Sequence, residues 1–287
     1  MRLVFLGTPG AAVPPLRALV AAGHDVVLVV TRADKRRSRG GAPEPSPVKS
    51  AALELNLPVA HRVDDALDAG AELGVVVAFG QIIKPHVLAV LPMVNLHFSL
   101  LPRWRGAAPV ERAILAGDEV TGVCVMAVEE GLDTGGVYAS AQVPISPADD
   151  ADTLRTRLVE VGTPLLVATL AAPLPAPAVQ EGAPTYADKV TPDDLHIDWS
   201  RPAAEIGRLP RVGKAWTTFR GHRLLVLAAD ASASMIDGSP GTLDGTAVAT
   251  GSGGLSLVRV QPEGRAALDA DAWRNGARPQ PGERLGD

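Results

Sequence analysis

Two uninterrupted apolar runs limit what this chain can fold into more than any other feature. Asp25–Thr31 reads DVVLVVT and Gly74–Ala78 reads GVVVA. A strand with one face in water alternates apolar and polar residues. A strand that is apolar throughout is buried on both faces, as in a parallel sheet covered by helices. The first half supplies the rest of such a sheet. Arg2–Leu6 is an apolar strand closed by Gly7, Val59–Ala60 begins a short strand, and Val94–Phe98 and Gly122–Val128 read as strands too. Helical patterns stand between them: Pro14–Ala22 with Gly23 as its stop, Ser50–Leu55, Lys84–Val90 before Pro92, and Pro109–Ala116. Asp152–Leu170 is a longer helix, with Asp152 as N-cap and Leu154, Leu158, Val161 and Leu165 at helical spacing. Alternating strands and helices predict an α/β domain with a mainly parallel sheet.

That pattern does not run to the end. Residues 171–200 are rich in Ala and Pro, and from Thr217 the chain breaks into short strands split by Gly and Pro: Arg223–Leu227, Gly241–Leu243, Thr246–Ala249 and Leu255–Val260. This predicts a small β-rich barrel or sandwich. The expected division is a catalytic domain over 1–180, a linker over 181–200 and a β-rich domain over 201–287, which suits a 287-residue chain.

Several function classes are disfavoured. Cys124 is the single cysteine, so no internal disulfide or zinc–thiolate cluster is expected, and it reads as a small buried hydrophobe. The six histidines form no HxH or HxxxH pair, so no metal is expected. No 18-residue apolar stretch lacks charges or prolines, and the N-terminal run is too short for a signal peptide; no membrane span and a cytoplasmic location are expected.

The net charge of −5 hides two basic stretches. Residues 31–49 carry Arg32, Lys35, Arg36, Arg37, Arg39 and Lys49 against Asp34 and Glu44. Residues 201–223 carry Arg201, Arg208, Arg211, Lys214, Arg220 and Arg223 against Glu205. They are either solvated surfaces or a local contact for a polyanion.

The chemistry concentrates at Asn95 and His97. Residues two apart on a strand point to one face, so an amide and an imidazole stand side by side near the C-terminal end of a strand, where open α/β sheets place their ligands. The strand over 122–128 leads into a glycine-marked loop holding Asp133, also expected at a strand's C-terminal end and within approach of His97. An amide that donates to an oxyanion, and a histidine oriented by an aspartate, suit acyl transfer without a covalent intermediate. Ser99 lacks a nucleophile elbow and reads as structural or as a ligand contact. Gly7-Thr8-Pro9-Gly10 reads as a tight strand-to-helix turn, with a phosphate cradle as the alternative.

The order of GTP at 7–9, PSPVK at 45–49, VVVAFG at 75–80, NLHFSLLPRWRGAAP at 95–109 and GLDTG at 131–135 resembles the methionyl-tRNA formyltransferase family over essentially the whole chain. IDWS at 197–200 and QPEG at 261–264 fit the same pattern. The resemblance implies a Rossmann-like formyltransferase domain followed by a small OB-like β-barrel. It implies that Asn95, His97 and Asp133 are catalytic. It places Gln81, Ile82, Ile83, Ser99, Leu100, Leu101, Pro102, Glu129, Glu130, Gly131 and Leu132 around a 10-formyltetrahydrofolate co-substrate. Arg36, Arg37 and Arg39, with Arg208, Arg211 and Lys214, would contact tRNA. The implied activity is formylation of initiator methionyl-tRNA for translation initiation, by a monomer that needs no metal.

Other readings remain open. An amino-sugar-nucleotide formyltransferase would use the same trio and the same folate; the basic stretches favour RNA over it. A formyltetrahydrofolate hydrolase would put water in place of the amine. Glycinamide ribonucleotide formyltransferase needs no β-rich second domain. A non-catalytic RNA-binding module leaves the trio unexplained. A nicotinamide-dependent oxidoreductase would need the glycine fingerprint that 7–12 lacks.

Overall fold

The computed structural model describes residues 1–36 and 42–287. The chain forms two compact units. The first comprises Met1–Val110, Val120–Ile145 and Thr153–Asp188; the second comprises Lys189–Asp287 with two earlier segments, Glu111–Glu119 and Ser146–Asp152.

In chain order the first elements are β1 (Arg2–Gly7), α1 (Val13–Ala21), β2 (Asp25–Val30), the two-residue strands β3 (Lys35–Arg36) and β4 (Pro43–Glu44), α2 (Pro47–Glu54), β5 (Val59–Ala60), β6 (Leu73–Val77), α3 (Pro85–Leu88) and β7 (Met93–His97). There follow β8 (Arg105–Gly106), α4 (Pro109–Ala116), β9 (Val120–Ala127), β10 (Val137–Pro144), α5 (Ala151–Leu170) and β11 (Tyr186–Ala187). Seven strands make one sheet in the order β10-β9-β7-β6-β1-β2-β5. β5, β2, β1, β6 and β7 run parallel to one another, as the continuous apolar runs predict. One face carries Val4, Leu6, Val76 and Met93, packed with Val87 and Leu91 around the short α3.

Local chemistry explains the boundaries. A Cβ on Gly7 would stand 2.8 Å from the Phe5 ring and 3.0 Å from the Val77 carbonyl, so the first turn is glycine for close packing. Helix α2 starts three residues before the Ser50 expected from the sequence. Ser46 caps it by accepting from the Lys49 amide at 3.0 Å, and Pro47 takes the first-turn position where its missing N–H is harmless. Strand β10 has only a weak sequence signal: on this edge strand the strand formers Val137, Tyr138 and Val143 are broken up by Ala, Ser and Gln, and Val143 is its one buried residue.

The edge of the sheet departs from the parallel expectation. β9 runs antiparallel to β7, pairing Val94 with Ala127 and His97 with Cys124, and β10 runs antiparallel to β9. The C-terminal end of β9 therefore abuts the start of β7, not its end. The loop carrying Asp133 leaves from the far side, about 10 Å along the strand from His97.

The second unit contains α6 (Ala203–Ile206), α7 (Leu209–Val212), β12 (Ala215–Phe219), β13 (His222–Ser232), β14 (Leu243–Asp244), β15 (Ala247–Ala249), β16 (Gly254–Pro262), β17 (Leu268–Asp269) and α8 (Ala270–Ala277). Its strands form an antiparallel sheet in the order β12-β13-β16-β15-β14, with β17 also on β16. The C-terminal tail connects the two ends of that order: Leu243 donates to Glu283, Leu285 donates to Gly241, and Gly286 donates to the Thr218 carbonyl. Inside lie Leu224, Val226, Val248, Leu255, Val260 and Trp273.

The stretch expected to be a linker, 181–200, is structured at both ends. Tyr186–Ala187 pairs in parallel with β8. Ile197 and Trp199 are buried in the core of the second unit, where the Trp199 indole donates to Thr217 Oγ1 at 3.0 Å. An Ala/Pro-rich composition lacks periodicity, but two large apolar side chains suffice to bury its end.

Candidate active site

Asn95 and His97 occupy alternate positions of β7 and share a face, as their spacing requires. Asn95 is half-buried between Val76 and Met126 on the flanking strands. Among the described residues its carboxamide makes no hydrogen bond with the protein. His97 is 5% exposed. Its Nε2 lies 2.9 Å from the Trp104 carbonyl and its Nδ1 lies 3.7 Å from Asp133 Oδ2. A carbonyl only accepts, so the Trp104 contact requires the proton on Nε2. The nitrogen left to exchange a proton is Nδ1, on the Asp133 side.

The loop after β7 makes this contact possible. Ser99 is fully buried, and its hydroxyl donates to the Arg103 carbonyl at 2.6 Å, closing the turn over 99–104. Ser99 is thus a structural hydroxyl of the loop. Trp104 sits at φ +62°, in the left-handed region, and its carbonyl accepts from His97. Asp133 is left-handed too, at φ +49°, and Ala78, just beyond β6, at +46°. Three non-glycine residues in this region around one site are a concentration of backbone strain of the kind found at functional sites.

Asp133 arrives by a route the sequence does not reveal. The loop from Val128 to Gly136 returns towards His97 from the far end of β9. The Gly106 amide donates to Asp133 Oδ2 at 2.7 Å, and Gln180 Nε2 donates to the carbonyls of Asp133 and Gly135, both at 2.8 Å. Gln180 Oε1 in turn accepts from Arg105 Nε and Nη2, at 3.0 and 2.6 Å. Thr185 Oγ1 accepts from the Trp104 amide at 2.9 Å. Sequence reasoning missed Arg105, Gln180 and Thr185. The last two lie in the Ala/Pro-rich stretch, where nothing local marks them.

The residues assigned to the folate by resemblance fall on two exposed loops and on the turn after β7. Ile82 is 88% exposed and Leu132 60%. Gln81, Glu129, Glu130 and Gly131 are exposed, and Ile83 is half-buried against the apolar cluster near Met93. Leu100 packs on Gly122, where an added Cβ would meet its side chain at 2.5 Å; Leu101 and Pro102 are half-buried.

The basic stretches are used unequally. Arg36 lies exposed on the β3–β4 hairpin. The hairpin is tied at its base by Lys49 on Asp34 and by a buried hydroxyl pair between Thr31 and Ser46. Arg37 and Arg39 lie outside the described residues. Arg211 turns inward, with Nε donating to the Asp149 carbonyl at 2.7 Å and Nη2 to the Ser146 carbonyl at 2.9 Å; burial pushes its pKa below the ordinary arginine value, against the pull of Asp149. Arg208 donates to the Leu115 carbonyl in the last turn of α4 and lies over Gly117. Both guanidinium groups are therefore engaged inside the second unit. Lys214 is exposed and lines a shallow hollow with Arg223, Leu225 and Gln261.

Residues 1–170 match the formyl transferase family model and residues 189–278 match the formyl transferase C-terminal domain. The methionyl-tRNA formyltransferases of Acidothermus cellulolyticus and Ruegeria pomeroyi are 44% and 41% identical, each over 99% of this chain and all of the relative. That of Streptomyces coelicolor is 42% identical over the full length of both.

The chain belongs to the methionyl-tRNA formyltransferase family.

Solved structures share the fold at much lower identity. The sugar 3N-formyl transferase WlaRD, solved in the presence of dTDP and 5-N-formyl-THF, superposes with a TM-score of 0.69 at 16% identity, covering 93% of this chain and 99% of that one. The N-formyltransferase of Helicobacter canadensis, solved with folinic acid and dTDP-3-aminofucose, gives 0.67 at 16%, covering 89% and 98%. Gln180 and Thr185 fall between the two matched regions, yet Gln180 donates to the Asp133 carbonyl and Thr185 accepts from the amide of Trp104, whose carbonyl accepts from His97.

Proposed function

We propose that this chain transfers the formyl group of 10-formyltetrahydrofolate to the α-amino group of initiator methionyl-tRNA. One observation carries the mechanism: an Asn95 amide with no hydrogen-bond partner among the described residues stands on the same strand face as a histidine whose Nε2 is fixed by a carbonyl and whose Nδ1 faces a carboxylate.

The free amine attacks the formyl carbon. A carbon–nitrogen bond forms, and the formyl oxygen takes up negative charge. Asn95 donates its amide N–H to that oxygen, stabilising charge that exists only on the way to product. His97 takes up a proton at Nδ1, and Asp133 stabilises the resulting imidazolium. The bond from the formyl carbon to N10 then breaks, the proton lost by the amine goes to N10, and tetrahydrofolate leaves. The exposed Ile82 and Leu132 offer apolar surface to a flat pterin, and Gln81, Ile83, Glu129, Glu130, Gly131 and the Ser99–Pro102 turn complete the set assigned to the folate. Arg36, with Arg37 and Arg39, and Lys214 offer charge to the tRNA backbone, at sites whose weight falls with salt.

The test is direct. The protein is incubated with 10-formyltetrahydrofolate and either methionyl-tRNA or a panel of amino-sugar nucleotides, and the formylated product is identified. Formyl-methionyl-tRNA is the expected product; formylation of a sugar nucleotide alone overturns the acceptor.

A further inference from the structure

The segment from Ala178 to Ala187 is a strap over the site, and its attachments are specific. It begins with a two-way backbone bridge between Ala178 and Val137, at 2.8 and 2.9 Å. Gly136 lets it lie that close, since a Cβ there would stand 2.9 Å from Pro177. It ends with β11 on β8, where the Ala187 carbonyl accepts from the Ala107 and Ala108 amides at 2.9 and 3.0 Å. Between these anchors stand two side chains. Gln180 donates to the Asp133 and Gly135 carbonyls and is itself held by Arg105. Thr185 accepts from the Trp104 amide, one peptide from the carbonyl that accepts from His97.

We infer that Gln180 and Thr185 are positioning residues that hold the two halves of the catalytic pair in register, Gln180 acting on Asp133 and Thr185 on His97 through Trp104. The inference rests on the catalytic reading of His97 and Asp133 given above. Its physical basis is strain. Asp133 and Trp104 both occupy left-handed backbone, which is unfavourable for a non-glycine residue and persists only where neighbours over-determine it. In each case the strap supplies one of the hydrogen bonds that do so, beside Gly106 on Asp133 and His97 on Trp104. The His97–Asp133 separation is 3.7 Å, so a small drift of either backbone breaks their electrostatic contact. Misplacement of about 1 Å at a reacting group lowers rates by about a hundredfold.

The experiment uses the full chain with methionyl-tRNA and 10-formyltetrahydrofolate. Thr185→Val keeps the shape and removes the acceptor; Thr185→Ser keeps the hydroxyl. Gln180→Glu keeps the oxygen facing Arg105 and removes the N–H groups facing the Asp133 loop. Thr185→Val and Gln180→Glu are expected to lower kcat about tenfold to a hundredfold, with KM for both substrates within about threefold. The kcat–pH profile is expected to shift in both variants. Thr185→Ser restores kcat to within about threefold of the parent. A lower melting temperature with unchanged kcat and pH profile would make the strap merely structural and overturn the inference. So would a rise in KM alone. Parallel measurement of His97→Ala separates the two readings: if it is fully active, the catalytic assignment falls and the strap role with it; if it is inactive while Thr185→Val and Gln180→Glu behave as the parent, only the strap role falls.

Discussion

Residues 95–106 and residues 201–223 are both dense in polar side chains, and they use them in opposite ways. In the first, Asn95 and His97 stand on one strand face beside a strained loop, half-buried and buried. Among the described residues Asn95 makes no side-chain hydrogen bond, and His97 keeps one nitrogen for chemistry. In the second, most of the cations turn back on the protein. Arg201 pairs with Glu205, Arg208 and Arg211 donate to backbone carbonyls, Arg220 pairs with Glu283, and Arg223 lies over the Trp216 ring at 4.5 Å. A strand's period fixes direction, so spacing alone predicts which groups meet. Charge carries no direction. A run of arginines reads the same whether it faces a phosphate or a helix's last carbonyls, where a cation is equally welcome.

The comparison breaks first at the catalytic strand. His97→Ala is expected to lower kcat by about 10²–10⁴-fold and Asn95→Ala by about 10²–10³-fold, in initial-rate assays of methionyl-tRNA formylation. Near-parental turnover in either variant would remove that group from the chemistry. The inward arginines come next. Arg211→Ala strips two carbonyls of a charged donor and is expected to lower the unfolding free energy by about 1.5–3 kcal/mol in urea titrations, with little change in the salt dependence of tRNA use. A loss of tRNA affinity at constant stability would return Arg211 to the RNA surface. Lys214→Ala should do the reverse: stability within about 0.5 kcal/mol of the parent, and a log–log salt slope shallower by about one phosphate contact.

The smallest effect concerns acid. Arg112 grips Asp194 with both amino groups, at 2.9 and 3.2 Å, and that hydrogen-bonded pair, helped by Thr191, lowers the Asp194 pKa to about 2 from an ordinary value of about 3.9. A carboxylate lowered in the folded state adds stability above its unfolded pKa and loses it as pH falls through the folded one. The parent should therefore lose this contribution between about pH 4 and pH 2. Asp194→Asn should show a flatter stability curve there, with little difference in shape above pH 5. Identical slopes below pH 4 would mean that solvent screens the half-buried pair.

Much of the fold was legible. The apolar runs of β2 and β6 required a buried parallel sheet, and helices α1, α4 and α5 followed from spacing to within a residue or two. Strand β10 was not, because on this edge strand Ala, Ser and Gln break up Val137, Tyr138 and Val143 and Val143 is the one residue buried. Nor was the end of the linker: Ile197 and Trp199 are core residues whose partners lie on strands that follow them in the chain. At the site, Asn95 and His97 were legible because two residues on one strand need only local geometry. Asp133 could be proposed, but the reason first given for it, a parallel strand ending beside His97, is replaced by an antiparallel β9 and a returning loop.

By itself the sequence determined the parallel core, the β-rich second half, and an amide beside an imidazole on one strand face. All of these follow from periodicities of a few residues. Tertiary structure decided which nitrogen of His97 is available, how Asp133 reaches it, and which arginines face outward. Each of those depends on a partner far along the chain, such as Gln180 for Asp133 or Asp149 for Arg211. The distance between such partners is set by the packing of whole elements and leaves no period in the sequence to read.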